Sequence, residues 1–318
     1  MTPIGYKLCS EEHGPQDLVR FARRAEEAGF EFAAISDHFH PWTDAQGESP
    51  FVWSVIGAIA SSTGRLRVGT AVTCPTIRIH PAIVAQAAAT SAALLPGRFF
   101  LGVGTGEYLN EHILGDPWPR AGTRLEMLEE AVGLIRSLWD GDLTNHDGVH
   151  YVVENARIYS LPETPPPVIV AAGGSKAATL AGTIGDGLMV TAPEEDPIER
   201  FRQAGGAGKP VYGEVTVCWA DSEEDAARTV KERWPVPGIP GQLSQELALP
   251  AFFEQAAELV RKEDLAEKVP VGPDPERHLE AIRAYLQAGV DHVYVHQVGP
   301  DQEGFFRFYE QQVLPKVG

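Results

Sequence analysis

Short apolar runs alternate with amphipathic segments along most of the 318-residue chain. Each run is rich in Val, Ile or Phe and ends in Gly, Thr, Asp or Ala. A segment of about 10–18 residues with helical spacing of apolar positions follows most of these runs. This alternation is typical of parallel strands that are joined by helices.

Eight of the runs are predicted to be strands, at residues 4–8, 30–36, 65–72, 98–104, 167–172, 187–191, 211–219 and 292–298. The clearest helices are predicted at residues 15–30, 81–95, 124–139 and 274–289. Eight parallel strands are the number that closes a (β/α)8 barrel, so we predict an α/β protein with one TIM-barrel domain over residues 1–318. The alternative is an open doubly wound sheet, which is disfavoured because no glycine fingerprint follows the first strand.

Two segments interrupt the alternation. Residues 141–166 carry an Asp-Gly turn between two β-prone runs, which predicts a hairpin insertion. Residues 233–272 are rich in Pro and Gly at first and then helical in pattern. We expect this second segment to form a side or lid insertion before the last strand–helix unit.

Composition narrows the class of protein. The net charge of −18 argues against nucleic acid or an anionic membrane as a partner, since either needs a basic face. No apolar run approaches the roughly 18 residues of a membrane span, and the first residues lack the pattern of a signal peptide. Cys9, Cys74 and Cys218 are far apart and form no CxxC motif, which disfavours a disulfide framework. We therefore expect a cytoplasmic protein that acts on a small molecule.

The barrel prediction also locates the chemistry, because TIM-barrel sites lie at the carboxyl ends of the strands. Asp37, His38 and Glu107 are the titratable side chains best placed there for proton transfer. Other polar candidates at these ends lie within residues 7–11, 70–74, 105–107 and 173–176, and at Thr191 and His296.

The stretch "SDHFHPW" raises the alternative of a metal site, because His38 and His40 have the spacing that starts some zinc sites. Such a site needs further ligands at later strand ends, and the fifth and sixth strands supply no histidine. We therefore predict no catalytic metal. Gly173 and Gly174 precede a helix, which suggests an anion site for a phosphate-bearing cofactor or else an ordinary tight turn.

Several ordered motifs resemble one known family. They are "GYKLCSEEHGP", "ISDHFHPW", "VGTAVTCPTIRIHPAIVAQ", "FFLGVGTGEYLNE" and "VIVAAGG" with "AGTIGDGLMVT". The chain resembles the deazaflavin-dependent branch of the bacterial-luciferase-like superfamily, which includes F420-dependent glucose-6-phosphate dehydrogenases and secondary alcohol dehydrogenases. The resemblance covers most of residues 4–192 and more weakly 272–318. It implies an insertion-bearing barrel, coenzyme F420, hydride transfer at a CH–OH carbon and a homodimer.

The resemblance also implies roles for individual residues. His38 matches the base for the substrate hydroxyl, Glu107 matches the acid that protonates the reduced ring at N1, and Trp42 matches a wall of the substrate pocket. Glu11 matches a glutamate of the first loop and is grouped with these catalytic residues. The residues expected on the cofactor side are Asp37, Ala71, Val72, Cys74, Thr105, Asn110, Ala172, Gly173 and Gly174. The peptide between Ala71 and Val72 stands where relatives have a non-proline cis bond.

The substrate end departs from the pattern of the phospho-sugar enzymes. Glu194 and Glu246 stand where basic residues are expected, and Lys268 alone keeps a positive charge. Carboxylates there would repel a phosphate dianion, so we expect an uncharged or cationic alcohol, or the matching carbonyl. The residues expected to contact the substrate are Trp42, Glu11, Thr191, Glu194, Glu246 and Lys268. Two alternatives are an FMN-dependent luciferase-like monooxygenase and a family member that binds the cofactor without turnover.

Overall fold

The computed structural model describes residues 2–239, 241–261, 265 and 268–317. Eight parallel strands close a barrel. They are Ile4–Leu8 (β1), Phe32–Ile35 (β2), Arg67–Thr70 (β3), Phe99–Val103 (β4), Val168–Ala171 (β7), Gly187–Val190 (β8), Val211–Val217 (β9) and His292–Gln297 (β10). Their order around the barrel is β1-β10-β9-β8-β7-β4-β3-β2, which confirms the predicted (β/α)8 barrel.

Helices follow the strands on the outside of the barrel. They are Pro15–Ala28 (α1), Val52–Ser62 (α2), Pro81–Leu94 (α3), Tyr108–Glu111 (α4), Ala121–Trp139 (α5), Ser175–Ile184 (α6), Glu195–Phe201 (α7), Glu223–Arg233 (α8), Leu243–Glu246 (α9), Pro250–Glu258 (α10), Pro275–Ala288 (α11) and Gln302–Phe308 (α12). Proline opens α1, α3, α10 and α11, where its missing N–H costs no helical hydrogen bond. No helix among the described residues is long and apolar enough to cross a bilayer.

The two interrupting segments have different structures. Thr144–Asp147 (β5) and Val152–Ala156 (β6) pair antiparallel outside the barrel. Glu130 of α5 anchors this hairpin, because its carboxylate accepts hydrogen bonds from the backbone of the turn and lies 2.9 Å from Nε2 of His146. The described part of residues 233–272 contains α9 and α10 and packs on a separate apolar cluster that includes Trp42, Trp234 and Phe253.

Aromatic side chains fill the inside of the barrel beneath its mouth. Phe32, Phe100, Tyr212 and Tyr294 are almost fully buried there. Their bulk requires a glycine on the neighbouring strand, since a Cβ at Gly69 would lie 2.2 Å from the Phe100 ring. The inside of the barrel is therefore a packed core at this level.

Candidate active site

A cleft with about 1100 Å³ of empty space opens at the carboxyl ends of the strands. This is the position that the barrel rule predicts for a site. Every wall of the cleft comes from a different strand end or from the insertion above it. The lining residues are Lys7, Glu11, Ser36, Asp37, His38, Trp42, Ala71, Val72, Cys74, Gly104, Thr105, Gly106, Glu107, Glu111, Ala171, Ala172, Gly173, Met189, Thr191, Glu214, Trp234, Gln245 and Tyr294.

His38 and Glu11 meet where the loops after β1 and β2 face each other. Nε2 of His38 lies 3.4 Å from Oε1 of Glu11, and Nδ1 of His38 lies 3.3 Å from the carbonyl oxygen of His40. Both partners are acceptors, so together they fix the orientation of the imidazole ring.

The Glu11 carboxyl is buried among polar groups. Burial by itself raises the pKa of this carboxyl, but His38, Lys7 and a hydrogen bond from Ser36 lower it to about 2. Glu11 is consequently ionised at neutral pH. A fixed negative charge beside an imidazole is the usual means of orienting a general base and supporting its protonated form.

Lys7 and Glu214 form an ion pair on the floor of the cleft. The Nζ–Oε2 distance is 2.7 Å, and both side chains are more than nine-tenths buried. Lys7 is the one lysine or arginine among the described residues that line the cleft, and this pair engages its charge. The floor therefore offers an incoming anion no uncompensated cation.

Asp37 is held by two groups on the loop after β3. Nη2 of Arg78 donates to Oδ1 of Asp37 at 2.9 Å, and the Thr73 hydroxyl donates to Oδ2 at 2.7 Å. Arg78 also approaches Glu111, with 3.6 Å between Nε and Oε1, and its backbone N–H donates to Oε2. Burial raises the pKa of Glu111, although Arg78 opposes that effect.

Small residues of the β3 and β4 ends form another wall. The peptide between Ala71 and Val72 is cis. Gly106 has φ +77° and packs against Cys74, where a side chain would clash with the sulfur. Glu107 follows, lines the cleft and immediately precedes α4.

The chain matches known proteins over nearly its whole length. The profile of the family described as "Luciferase-like monooxygenase" matches residues 3–292. A protein of Kribbella flavida named F420-dependent glucose-6-phosphate dehydrogenase is 39% identical, over 98% of this chain and 97% of its own length. A protein of Mycobacterium tuberculosis with the same name is 35% identical, over 99% of this chain and 97% of its own length.

This chain belongs to the luciferase-like family. Among solved structures, an F420-dependent secondary alcohol dehydrogenase in complex with an F420-acetone adduct superposes with a TM-score of 0.92 at 29% identity and covers 98% of each chain. The F420-dependent tetrahydromethanopterin reductase of Methanopyrus kandleri superposes with a TM-score of 0.78 at 21% identity, covering 100% of this chain and 99% of its own, and supports the fold alone. These matches confirm the resemblance drawn from the motifs.

Most residues predicted for the cofactor side line the cleft of this luciferase-like protein. Asp37, Ala71, Val72, Cys74, Thr105, Ala172 and Gly173 do so. Asn110 lies behind the wall, where its Oδ1 accepts hydrogen bonds from the backbone N–H groups of Phe39 and His40. Gly174 is exposed at the start of α6 and is not among the lining residues.

Only some of the residues predicted for the substrate side line the cleft. Trp42, Glu11 and Thr191 line the cleft, and the Trp42 ring centre lies 5.0 Å from that of His38. Glu194, Glu246 and Lys268 do not line it. Glu246 pairs with Arg124 at 3.8 Å, and Nζ of Lys268 donates to the carbonyl of Pro237 at 2.6 Å.

Sequence reasoning did not assign roles to four charged residues of the site. Lys7 and Glu214 lie within strands, where a charged residue between apolar neighbours is itself a signal of an inward-facing polar site. Arg78 and Glu111 lie within two of the family motifs, but neither was given a role. Their closeness to Asp37 depends on the folded positions of β2, β3 and α4.

Proposed function

We propose that this protein is a coenzyme F420-dependent oxidoreductase that transfers a hydride between the hydroxyl carbon of an alcohol or sugar and C5 of the deazaflavin. The observation that carries the proposal is His38 with its partner Glu11 and its neighbour Trp42, all facing one cleft. The relatives named as F420-dependent dehydrogenases support the choice of cofactor and reaction.

The cleft suits a flat ring and a phosphate-bearing tail. Ala71, Val72, Gly104 and Ala171 give one wall of small side chains, against which a planar ring can lie. A Cβ at Gly173 would meet no atom within 4 Å, so the backbone of the turn before α6 is open to a ligand. When bound there, the deazaflavin would supply a hydride acceptor or donor at C5.

We assign the proton chemistry to the protein's own side chains. His38 takes the proton of the substrate hydroxyl, and ionised Glu11 stabilises the imidazolium that results. The distance of 3.4 Å between them is longer than a strong hydrogen bond, which leaves Nε2 able to engage a substrate. Glu107, which also lines the cleft, is assigned as the acid, and Trp42 shapes the substrate side and excludes water.

The substrate that we propose is an uncharged alcohol or sugar. Glu11, Asp37, Glu107, Glu111 and Glu214 place five carboxyl groups in the lining against Lys7, which is already paired. A phosphate dianion would meet net repulsion there. The names of the curated relatives point instead to glucose 6-phosphate, so the substrate class is the part of the proposal that needs a direct comparison.

The test adds F420 to the purified protein and follows deazaflavin absorbance with 2-propanol, free glucose and glucose 6-phosphate. Bleaching with a neutral substrate, and its loss in His38→Ala, is the expected result. Bleaching with glucose 6-phosphate alone would overturn the substrate class but leave the cofactor assignment intact. Turnover with FMN and oxygen, with no response to F420, would contradict the cofactor itself.

A homodimer and a cytoplasmic location are part of the same proposal. An apolar groove between α2 and α3 is lined by Phe51, Ile83 and Leu94, which are each more than half exposed. Exposed apolar patches of this kind mark protein interfaces, and a second copy of this chain is the occupant that the family resemblance favours. Light scattering should give twice the chain mass, and Ile83→Glu should shift the protein to monomer.

A further inference from the structure

Three buried side chains outside the proposed reaction converge below the cleft. They are Cys9 and Glu12, in the loop after β1, and His296, near the end of β10. Their sulfur, carboxylate oxygen and ring nitrogen all lie within 4.8 Å of one another, and the three residues are 2%, 7% and 0% exposed. Ligand atoms of a tetrahedral zinc ion lie roughly 3.3–3.8 Å apart, so a small closure would bring these atoms onto one ion.

Two polar atoms of this cluster have no hydrogen-bond partner among the described residues. They are Oε1 of Glu12 and Nε2 of His296, and both are buried. Buried polar atoms are nearly always satisfied, so two orphan atoms in one buried cluster indicate a missing partner. The other oxygen of Glu12, Oε2, accepts a hydrogen bond from the Gly299 N–H at 3.1 Å, so Oε1 is the oxygen that is left over.

The other ring nitrogen of His296, Nδ1, has the surroundings that are typical of metal-binding histidines. Nδ1 of His296 lies 3.7 Å from Oε1 of Glu214 and 3.5 Å from the Thr216 hydroxyl. A proton on Nδ1 that faces a carboxylate leaves the lone pair of Nε2 for a ligand, as in carboxylate–histidine–zinc triads.

We propose that Cys9, Glu12 and His296 form a structural binding site for a divalent transition metal, zinc being the best match to the S, O and N donors. Binding would release the Cys9 thiol proton to solvent. Thiolate, carboxylate and neutral imidazole would then balance the charge of the ion. The site would tie the β1 loop to β10 and thereby hold Glu11, which lies between two of the ligands, against His38. The inference does not depend on the identity of the cofactor.

The earlier expectation of no metal concerned His38 and His40 at the strand ends. Nδ1 of His40 lies 2.9 Å from the carbonyl of Leu109, and the two histidines do not appear together in any cluster of metal-binding side chains among the described residues. The site proposed here is a different one. Cys9 and His296 were among the polar candidates at the strand ends, and Glu12, one residue beyond the first of those ranges, completes the set.

The test titrates the full-length protein, freed of metal by a chelator, with Co²⁺. We expect one ion per chain and a near-ultraviolet thiolate-to-cobalt charge-transfer band. Cys9→Ser should abolish the band, and Cys218→Ser, at a buried cysteine outside the cluster, should keep it. His296→Ala should weaken binding at least about tenfold. A wild-type protein without the band, or a band that survives in Cys9→Ser, would overturn the proposal. Because the wild-type spectrum can already refute the site, a variant that fails to fold leaves the test intact.

Discussion

The two sides of the cleft are built in opposite ways. The side formed after β1 to β4, which we term the charged wall, carries Glu11, Asp37, His38, Glu107 and Glu111. The side formed after β7 and β8, which we term the open wall, carries Ala171, Ala172, Gly173, Met189 and Thr191, none of which is charged. One half of the barrel mouth therefore concentrates titratable side chains, and the other half presents an uncharged surface.

The difference lies in how each wall is held. Side chains of the charged wall are fixed by partners at short distances, such as Arg78 and Thr73 on Asp37 and Ser36 on Glu11. The residues of the open wall contribute small or flexible surfaces. Preorganised polar groups lower the cost of reorganisation during a reaction, whereas a neutral surface leaves specificity to shape. Substitutions on the two walls should consequently change different kinetic constants.

The largest effect is expected for His38→Ala. Loss of a general base typically lowers kcat by about 10²–10⁴-fold, and F420 binding should change by less than about threefold. The measurement is steady-state turnover together with a fluorescence titration of the cofactor. His40→Gln is the matched control, because His40 is not among the residues that line the cleft and its Nδ1 faces the carbonyl of Leu109. An equal loss of kcat in His38→Ala and His40→Gln would contradict the assignment of His38 as the base.

The next effect is on stability. Arg78→Met leaves Asp37 and Glu111 without their common cation, and unpairing a buried charge costs about 3–5 kcal/mol of unfolding free energy. Denaturant unfolding measures this loss. Arg200→Met is the control, since its pair with Asp196 is half exposed and should contribute less than about 1 kcal/mol. A similar small loss in both variants would show that the charged wall is not held by Arg78.

The smallest effect is expected on the open wall. Thr191→Lys places a cation in the cleft and should lower KM for a sugar phosphate about fivefold, equivalent to roughly 1 kcal/mol. The gain should shrink as salt is raised. Thr191→Gln adds length without charge and should leave KM unchanged. If neither substitution changes KM, the substrate does not approach the open wall.

Much of the fold followed from the sequence because its signal is local and repeated. Each of the eight barrel strands lies within a predicted apolar run, with ends that differ by up to two residues at β2, β3 and β9. The short α2, which was not among the clearest predicted helices, lacks a side-chain cap and a strongly amphipathic pattern. Its place is fixed by packing against α1 and α3.

The site was predictable only in part. Strand ends and motifs located His38, Glu107 and Trp42, because parallel strands bring their ends to one mouth. The position of Glu194 in the sequence did not show whether its side chain would line the cleft. In the structure, Thr191 is the last residue after β8 that lines the cleft, and α7 begins directly after Glu194. Pairings such as Lys7 with Glu214 join residues 207 positions apart and exist only once the barrel closes.

The most direct measurement of the central claim follows a label. The protein is incubated with F420 and an alcohol that carries deuterium on its hydroxyl carbon, and the reduced cofactor is analysed by mass spectrometry. We predict that the reduced deazaflavin gains the deuterium from the wild-type reaction and that His38→Ala gives almost none. Reduced cofactor without deuterium, or oxidised alcohol with no reduced cofactor, would contradict hydride transfer between the substrate carbon and F420.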